Sequence, residues 1–191
     1  MLNRNLGANF TKQAGFTMLE LVVVVGIMCV AAAMAVLILP SAVLAGKSDS
    51  GLNRVVSTLR TAREQAISQR RNIRVAFNDP NQIVVSRVEV PGPGTTVINT
   101  VSLEDGMRFL LFAGVPDTPD AFGNATATSF GGATTIFFSS EGQLCDQNGD
   151  PVNGTVFIGR YRETTSARAV TIFGPTALIR QWRWNGGQWT S

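Results

Sequence analysis

Leu21 to Leu39 carries no charged side chain over 19 residues, and any fold open to this chain has to dispose of that run. As an α-helix it would span about 28 Å, close to the hydrocarbon thickness of a bilayer, so it reads as a single transmembrane segment. Ahead of it, residues 1–15 hold Arg4 and Lys12 and no acid. By the positive-inside rule this keeps the N-terminus in the cytoplasm and sends everything after the run outward. Two ordinary readings compete, a secretory signal peptide and a simple signal anchor. Val43-Leu44-Ala45 before Gly46 has the small residues of a cleavage site, but the run exceeds the roughly 7–15 residues of a signal-peptide core. Neither reading accounts for Glu20. A carboxylate in such a run costs about 2–3 kcal/mol near a helix centre and less at its edge, so it asks for a partner.

The string Ala14-Gly15-Phe16-Thr17-Met18-Leu19-Glu20-Leu21-Val22 resembles the class III leader of type IV pilins and type II secretion pseudopilins. The family pattern is a short basic leader ending in Gly, then Phe-Thr, two hydrophobic residues, Glu and an apolar helix. The resemblance implies that a prepilin peptidase cuts after Gly15 and that the new amino terminus on Phe16 is N-methylated. It also implies that Glu20 neutralises the terminal amine of a neighbouring subunit, which would supply the missing partner. The physics agrees, because a paired charge in a low-dielectric bundle is tolerable where an isolated one is not. Where many family members have proline this chain has Leu37, and its nearest proline is Pro40, so any bend is expected about one turn later.

Beyond the run, Pro40 to Gly51 has weak helix propensity, with Gly46, Lys47, Ser48, Asp49, Ser50 and Gly51 in succession, and reads as a hinge or a frayed stretch. Leu52, Val55, Val56, Leu59, Ala62, Ala66 and Ile67 then recur at helical spacing, opposite Asn53, Arg54, Arg60, Arg63, Glu64 and Ser68. The pattern predicts an amphipathic helix ending near Arg70 or Arg71. From Asn72 the period becomes two, and Asp79-Pro80-Asn81 makes a turn between Ile73–Phe77 and Ile83–Val90. Further strands are expected at 96–103, 107–112, 134–139, 156–161, 168–173 and 178–184, between Gly- and Pro-rich breaks. One long helix followed by short antiparallel strands makes an α+β chain, which is the pilin fold that the resemblance implies. The expected organisation is a leader at 1–15, a transmembrane helix at 16–39, its amphipathic continuation at 40–71 and a periplasmic β-rich domain at 72–191.

Composition narrows the chemistry. The chain has no histidine, which excludes Ser-His-Asp, Cys-His and His-ligated metal chemistry within it. Cys29 lies in the apolar run and Cys145 in what reads as a polar surface loop, so no intramolecular disulfide is expected. Asp117, Asp120 and Asn124, and separately Asp146, Asn148 and Asp150, are oxygen-bearing clusters suited to calcium. Turn chemistry explains them equally well, since Asp and Asn bond their own backbone. No cofactor and no resident metal are expected. Removing residues 1–15 would leave 176 residues with 14 basic and 13 acidic side chains, so much of the formal +3 belongs to the leader. Arg54, Arg60, Arg63, Arg70, Arg71 and Arg74 outnumber Glu64 along and just after the outer helix, which marks an interaction surface.

Two further stretches, Thr135 to Gly142 and Arg168 to Gly174 followed by Ile179-Arg180-Gln181-Trp182-Arg183-Trp184, resemble the end of the GspH/FimT family of minor pseudopilins and minor pilins. The resemblance implies a low-abundance structural subunit that enters or primes a type II secretion pseudopilus or type IV pilus. Its implied partners are the prepilin peptidase, other pilin subunits and inner-membrane lipid. Some FimT-like pilins bind DNA through a Gly-Arg-any-Arg motif. Here Ala177-Leu178-Ile179-Arg180 keeps only the last arginine. Arg180, Arg183, Trp182 and Trp184 suit phosphate contact and base stacking, but alternating Arg and Trp is also the pattern of a half-buried strand. Packing and subunit contact are the favoured reading, and DNA uptake is the alternative.

Overall fold

The structure, a computed structural model, describes residues 15–92, 94–133 and 135–191, with residues 36–41 described by their backbone alone. The leader up to Ala14, the side chains around Pro40, and Pro93 and Thr134 therefore lie outside the described residues. The chain divides into two units, one ending at Ser41 and the other running from Ala42 to Ser191. Helix α1 is Met18–Gln69.

Thr17 starts the helix: its hydroxyl accepts the backbone N–H of Glu20 at 3.2 Å and its carbonyl that of Leu21 at 3.1 Å. This is half of a Thr-x-x-Glu capping box, so the spacing that carries the family signature also has a local helical reason. In the first unit the window Met18–Ala35 has a mean hydropathy of 2.5, and none of it is buried. By length and composition it can cross a membrane.

In the second unit Leu52, Val55, Val56, Leu59, Ala62 and Ala66 are fully or almost fully buried. Each of the larger ones contributes about 1.5–3 kcal/mol through its apolar surface. Ile67, expected on the same face, is 45% exposed. The turn at Gly142 reaches only the tip of its side chain. The expected hinge is corrected as well. Residues 42–51 are helical, Ser48 is completely buried with its hydroxyl on the Leu44 carbonyl, and Gly51 packs on Met107. Tertiary contact outweighs the weak propensity of that stretch. The helix ends at Arg70, which takes a positive φ of 50° while Arg70 N–H bonds Ile67 O and Arg71 N–H bonds Ala66 O, the double bond of a Schellman cap.

The strands are β1 (Ile73–Asn78), β2 (Gln82–Val88), β3 (Thr95–Ser102), β4 (Met107–Phe109), β5 (Thr128–Ser129), β6 (Ile136–Phe138), β7 (Leu144–Asp146), β8 (Gly154–Arg160), β9 (Glu163–Phe173), β10 (Leu178–Trp184) and β11 (Trp189–Thr190). They form two antiparallel sheets, ordered β3-β2-β1-β6-β7 and β11-β10-β9-β8-β4, with β5 added to β8. The helix face, Ile73 and Val75 of β1, Ile83 and Val85 of β2, and Val156, Ile158, Val170 and Ile172 of β8 and β9 make one core. Phe77 ties the sheets together, lying 5.4 Å from Phe109 edge-on and 5.6 Å from Phe130 in a stack. The opposite face of β8 and β9 is covered too, because Phe157, Ala167 and Ala169 pack with Val115, Trp184 and Trp189.

Cys145, which reads from sequence as a surface thiol, sits in β7 opposite Phe137 and is buried. Burial raises its thiol pKa against a weaker opposing hydrogen bond from Ser139. Asp117 and Asp146 serve turns. Asp117 accepts the N–H groups of Thr118 and Gly123, and Asp146 those of Asn148 and Asp150. Among the described residues no three Asp, Glu, Cys or His side chains converge as metal ligands.

Candidate functional site

The residues singled out from sequence fall into three groups. At the N-terminus Phe16 is 80% exposed, and Met18, Leu19 and Leu21 to Val25 are exposed around the helix. Glu20 makes no ion pair among the described residues. A helical segment apolar on every side and unburied among the described residues needs lipid or other helices as solvent.

The arginines of the outer helix divide by what they touch. Arg54 donates to Glu104 at 2.6 Å and to the Ser102 carbonyl at 2.9 Å, Arg63 to the Gly142 carbonyl at 3.0 Å, and Arg71 to the Val90 carbonyl at 3.4 Å. These hold the helix to its own domain. Arg60, Arg70 and Arg74 make no side-chain hydrogen bond or ion pair among the described residues.

At the C-terminal end, β10 alternates. Leu178, Arg180, Trp182 and Trp184 point to one face of the sheet and Arg183 to the other, because successive side chains in a strand do so. Asp120, only 11% exposed, accepts from Arg180 at 2.6 Å, from Trp182 Nε1 at 3.3 Å and from the Thr171 hydroxyl. Trp184 lies edge-on to Trp189 at 5.4 Å, and Trp189 Nε1 donates to the Pro116 carbonyl at 2.9 Å. Arg183 turns to the helix, where it and Arg168 share Asp49. The two arginines are thus on opposite faces and each is engaged with an aspartate, while Trp184 is buried. The fold does not bring Arg180, Arg183, Trp182 and Trp184 together as one surface for a nucleic-acid strand. Asp49 and Asp120, which organise this region, read from sequence as a propensity breaker and a loop oxygen. Neither carries a local signal of partners 119 or 60 residues away.

Residues 10–36 match the family model of the prokaryotic N-terminal methylation motif. Residues 52–176 match that of the type II transport protein GspH. Among solved structures, the type IV minor pilin FimU of Pseudomonas aeruginosa strain PAO1 is similar at a TM-score of 0.50 and 14% identity, covering 76% of this chain and 94% of that one. The minor pseudopilin EpsH from the type 2 secretion system of Vibrio cholerae is similar at 0.48 and 14%, covering 74% and 99%. No curated protein sequence matches. These likenesses concern the fold, a helix followed by antiparallel sheets. The GspH match takes in the helix from Leu52, the whole first sheet and β4, β5, β8 and β9 of the second, and over that majority of its length the chain belongs to the GspH family of type II transport proteins.

Proposed function

We propose that this chain works as a minor pseudopilin or minor pilin, a low-abundance subunit that enters or primes a filament after prepilin peptidase cuts between Gly15 and Phe16. The observation that carries this reading is the coincidence of the methylation motif with a helical segment, Met18–Ala35, that is apolar all round and uncovered by the described residues. On this reading residues 1–15 are a leader, 16–39 the membrane part of the helix, 40–71 its outer part and 72–191 a periplasmic domain. The N-terminus is cytoplasmic before processing. Glu20 pairs with the amine of Phe16 on a neighbouring subunit, which offsets the cost of a carboxylate at the edge of the apolar run. Arg60, Arg70 and Arg74 meet acidic side chains of adjoining subunits.

The reading is tested in cells that assemble the filament. Gly15→Ala should leave the full-length chain unprocessed, and Glu20→Ala should be processed but absent from sheared filaments. Normal cleavage of the first variant and normal incorporation of the second would remove the roles given to these residues.

A further inference from the structure

A sheet edge exposes backbone donors and acceptors, and folded proteins close, shorten or charge such edges. Three of the four edges here are handled in that way. On β7, Leu144 N–H bonds Gly174 O, Val152 N–H bonds Leu144 O, and Asp146 N–H bonds Asp150 O. On β4, Phe109 N–H bonds Pro80 O. β11 has only two residues. The fourth edge, β3, carries a bulge but is neither covered, shortened nor charged. It has eight residues, Thr-Thr-Val-Ile-Asn-Thr-Val-Ser, with no charge and no proline, and most of them are exposed, Val97 to 59%. Among the described residues, none of 95–101 makes a backbone hydrogen bond beyond those to β2. Only its end is closed, where Arg54 caps the Ser102 carbonyl.

Beside this edge lies a groove of about 510 Å³ between β3 and the helix, lined by Ser57, Thr58, Thr61, Gln65, Asn99 and Thr100, with Arg54 and Glu104 at one end. That pair is neutralised at 2.6 Å, so the groove offers hydroxyls and amides but no net charge. A charged side chain entering it would lose hydration without gaining a counter-ion. Ile98 is an extra residue in β3, since Val97 opposes Ser86 and Asn99 opposes Val85. The bulge divides the outer edge into two short halves. Two copies of β3 pairing antiparallel would each bring a bulge into the ladder, whereas a regular strand meets only one.

We propose that β3 is a docking edge, on which an extended, uncharged segment of a different subunit of the assembly adds as a further strand, its side chains seated in the groove against the helix. The proposal rests on the assembly reading above. Backbone hydrogen bonds supply the attraction, and the neutral groove selects the segment.

The test uses the full-length chain in the membranes of the cell that assembles it. A benzoyl-phenylalanine photo-crosslinker replaces Thr61, an exposed residue of the groove lining, and the linked peptide is identified by mass spectrometry. The expected result is an adduct with another subunit at a segment lacking charge over several residues. Thr100→Lys should lower its yield about tenfold, because a lysine on an edge opposes strand addition. Thr100→Val, which keeps strand propensity, should leave the yield unchanged. Unchanged melting temperatures establish that both variants fold. A self-adduct, an adduct at a charged segment, no adduct, or full yield from Thr100→Lys would overturn the proposal. If Glu20→Ala abolishes incorporation while Thr100→Lys does not alter adduct or incorporation, the assembly reading stands and the docking edge falls. If the unsubstituted chain enters no assembly, the assembly reading falls and takes this proposal with it.

Discussion

Arg168 of β9 donates through Nε to Asp49 of the helix at 2.8 Å, with the arginine side chain only 5% exposed. Arg183, directly opposite Arg168 on β10, bonds the same carboxylate oxygen at 3.1 Å. Two like charges facing each other across a strand pair repel. One aspartate from the helix turns that repulsion into a clamp that fixes the helix to the second sheet. Removing the carboxylate leaves a buried cation with only the Thr165 and Ala167 carbonyls. Asp49→Ala should therefore destabilise the protein by about 3 kcal/mol. Arg183→Gln, at an arginine 48% exposed, should cost under about 1 kcal/mol. Urea denaturation of both variants checks the order, and equal losses would contradict it.

Gly174 lies at the β9–β10 turn, and a Cβ there would stand 2.5 Å from the Val152 carbonyl oxygen. The clash is with backbone, which cannot swing aside as a side chain does. Its N–H also bonds Asn153 and its carbonyl accepts from Leu144. Gly174→Ala should cost about 2–3 kcal/mol, read as a lower melting temperature. Gly186→Ala, which meets nothing within 4 Å although its φ is positive at 101°, should cost less.

Cys145 should be inert toward alkylating reagents at neutral pH in the folded protein. Burial holds its thiol above its ordinary pKa and so depletes the reactive thiolate. Ser139→Ala removes a hydrogen bond that favours the thiolate and should slow the reaction further. Mass-spectrometric counting of modified thiols, native against denatured, gives the answer.

Glu89 titrates below its ordinary value of 4.5, chiefly because Arg87 hydrogen-bonds its carboxylate, with Thr96 adding a second bond. A lowered folded pKa means that the carboxylate's contribution is present above the unfolded value and lost as pH falls through the folded one. Arg87→Gln should move the Glu89 midpoint upward in an NMR titration. An unmoved midpoint would assign the shift to other groups.

The elements whose periods lie within a few residues are legible in the sequence. Leu52, Val55, Val56 and Leu59 mark the buried helix face, Ile73 and Val75 the inward side of β1, and the alternation from Leu178 to Trp184 gives β10 at its observed bounds. The two-residue β5 and β11 and the three-residue β7 are too short to show a period, so Cys145 reads as loop until the fold is known.

By itself the sequence determined the apolar helix, the switch to strands and the family, because each is written in neighbouring residues whose geometry the chain fixes locally. Only the tertiary structure decided that Pro40–Gly51 continues as helix, that Arg180 and Arg183 are split between Asp120 and Asp49, and that β3 is the open edge. Those outcomes depend on groups 48 to 134 residues apart meeting in a packed interior, where burial and charge pairing outweigh local propensity.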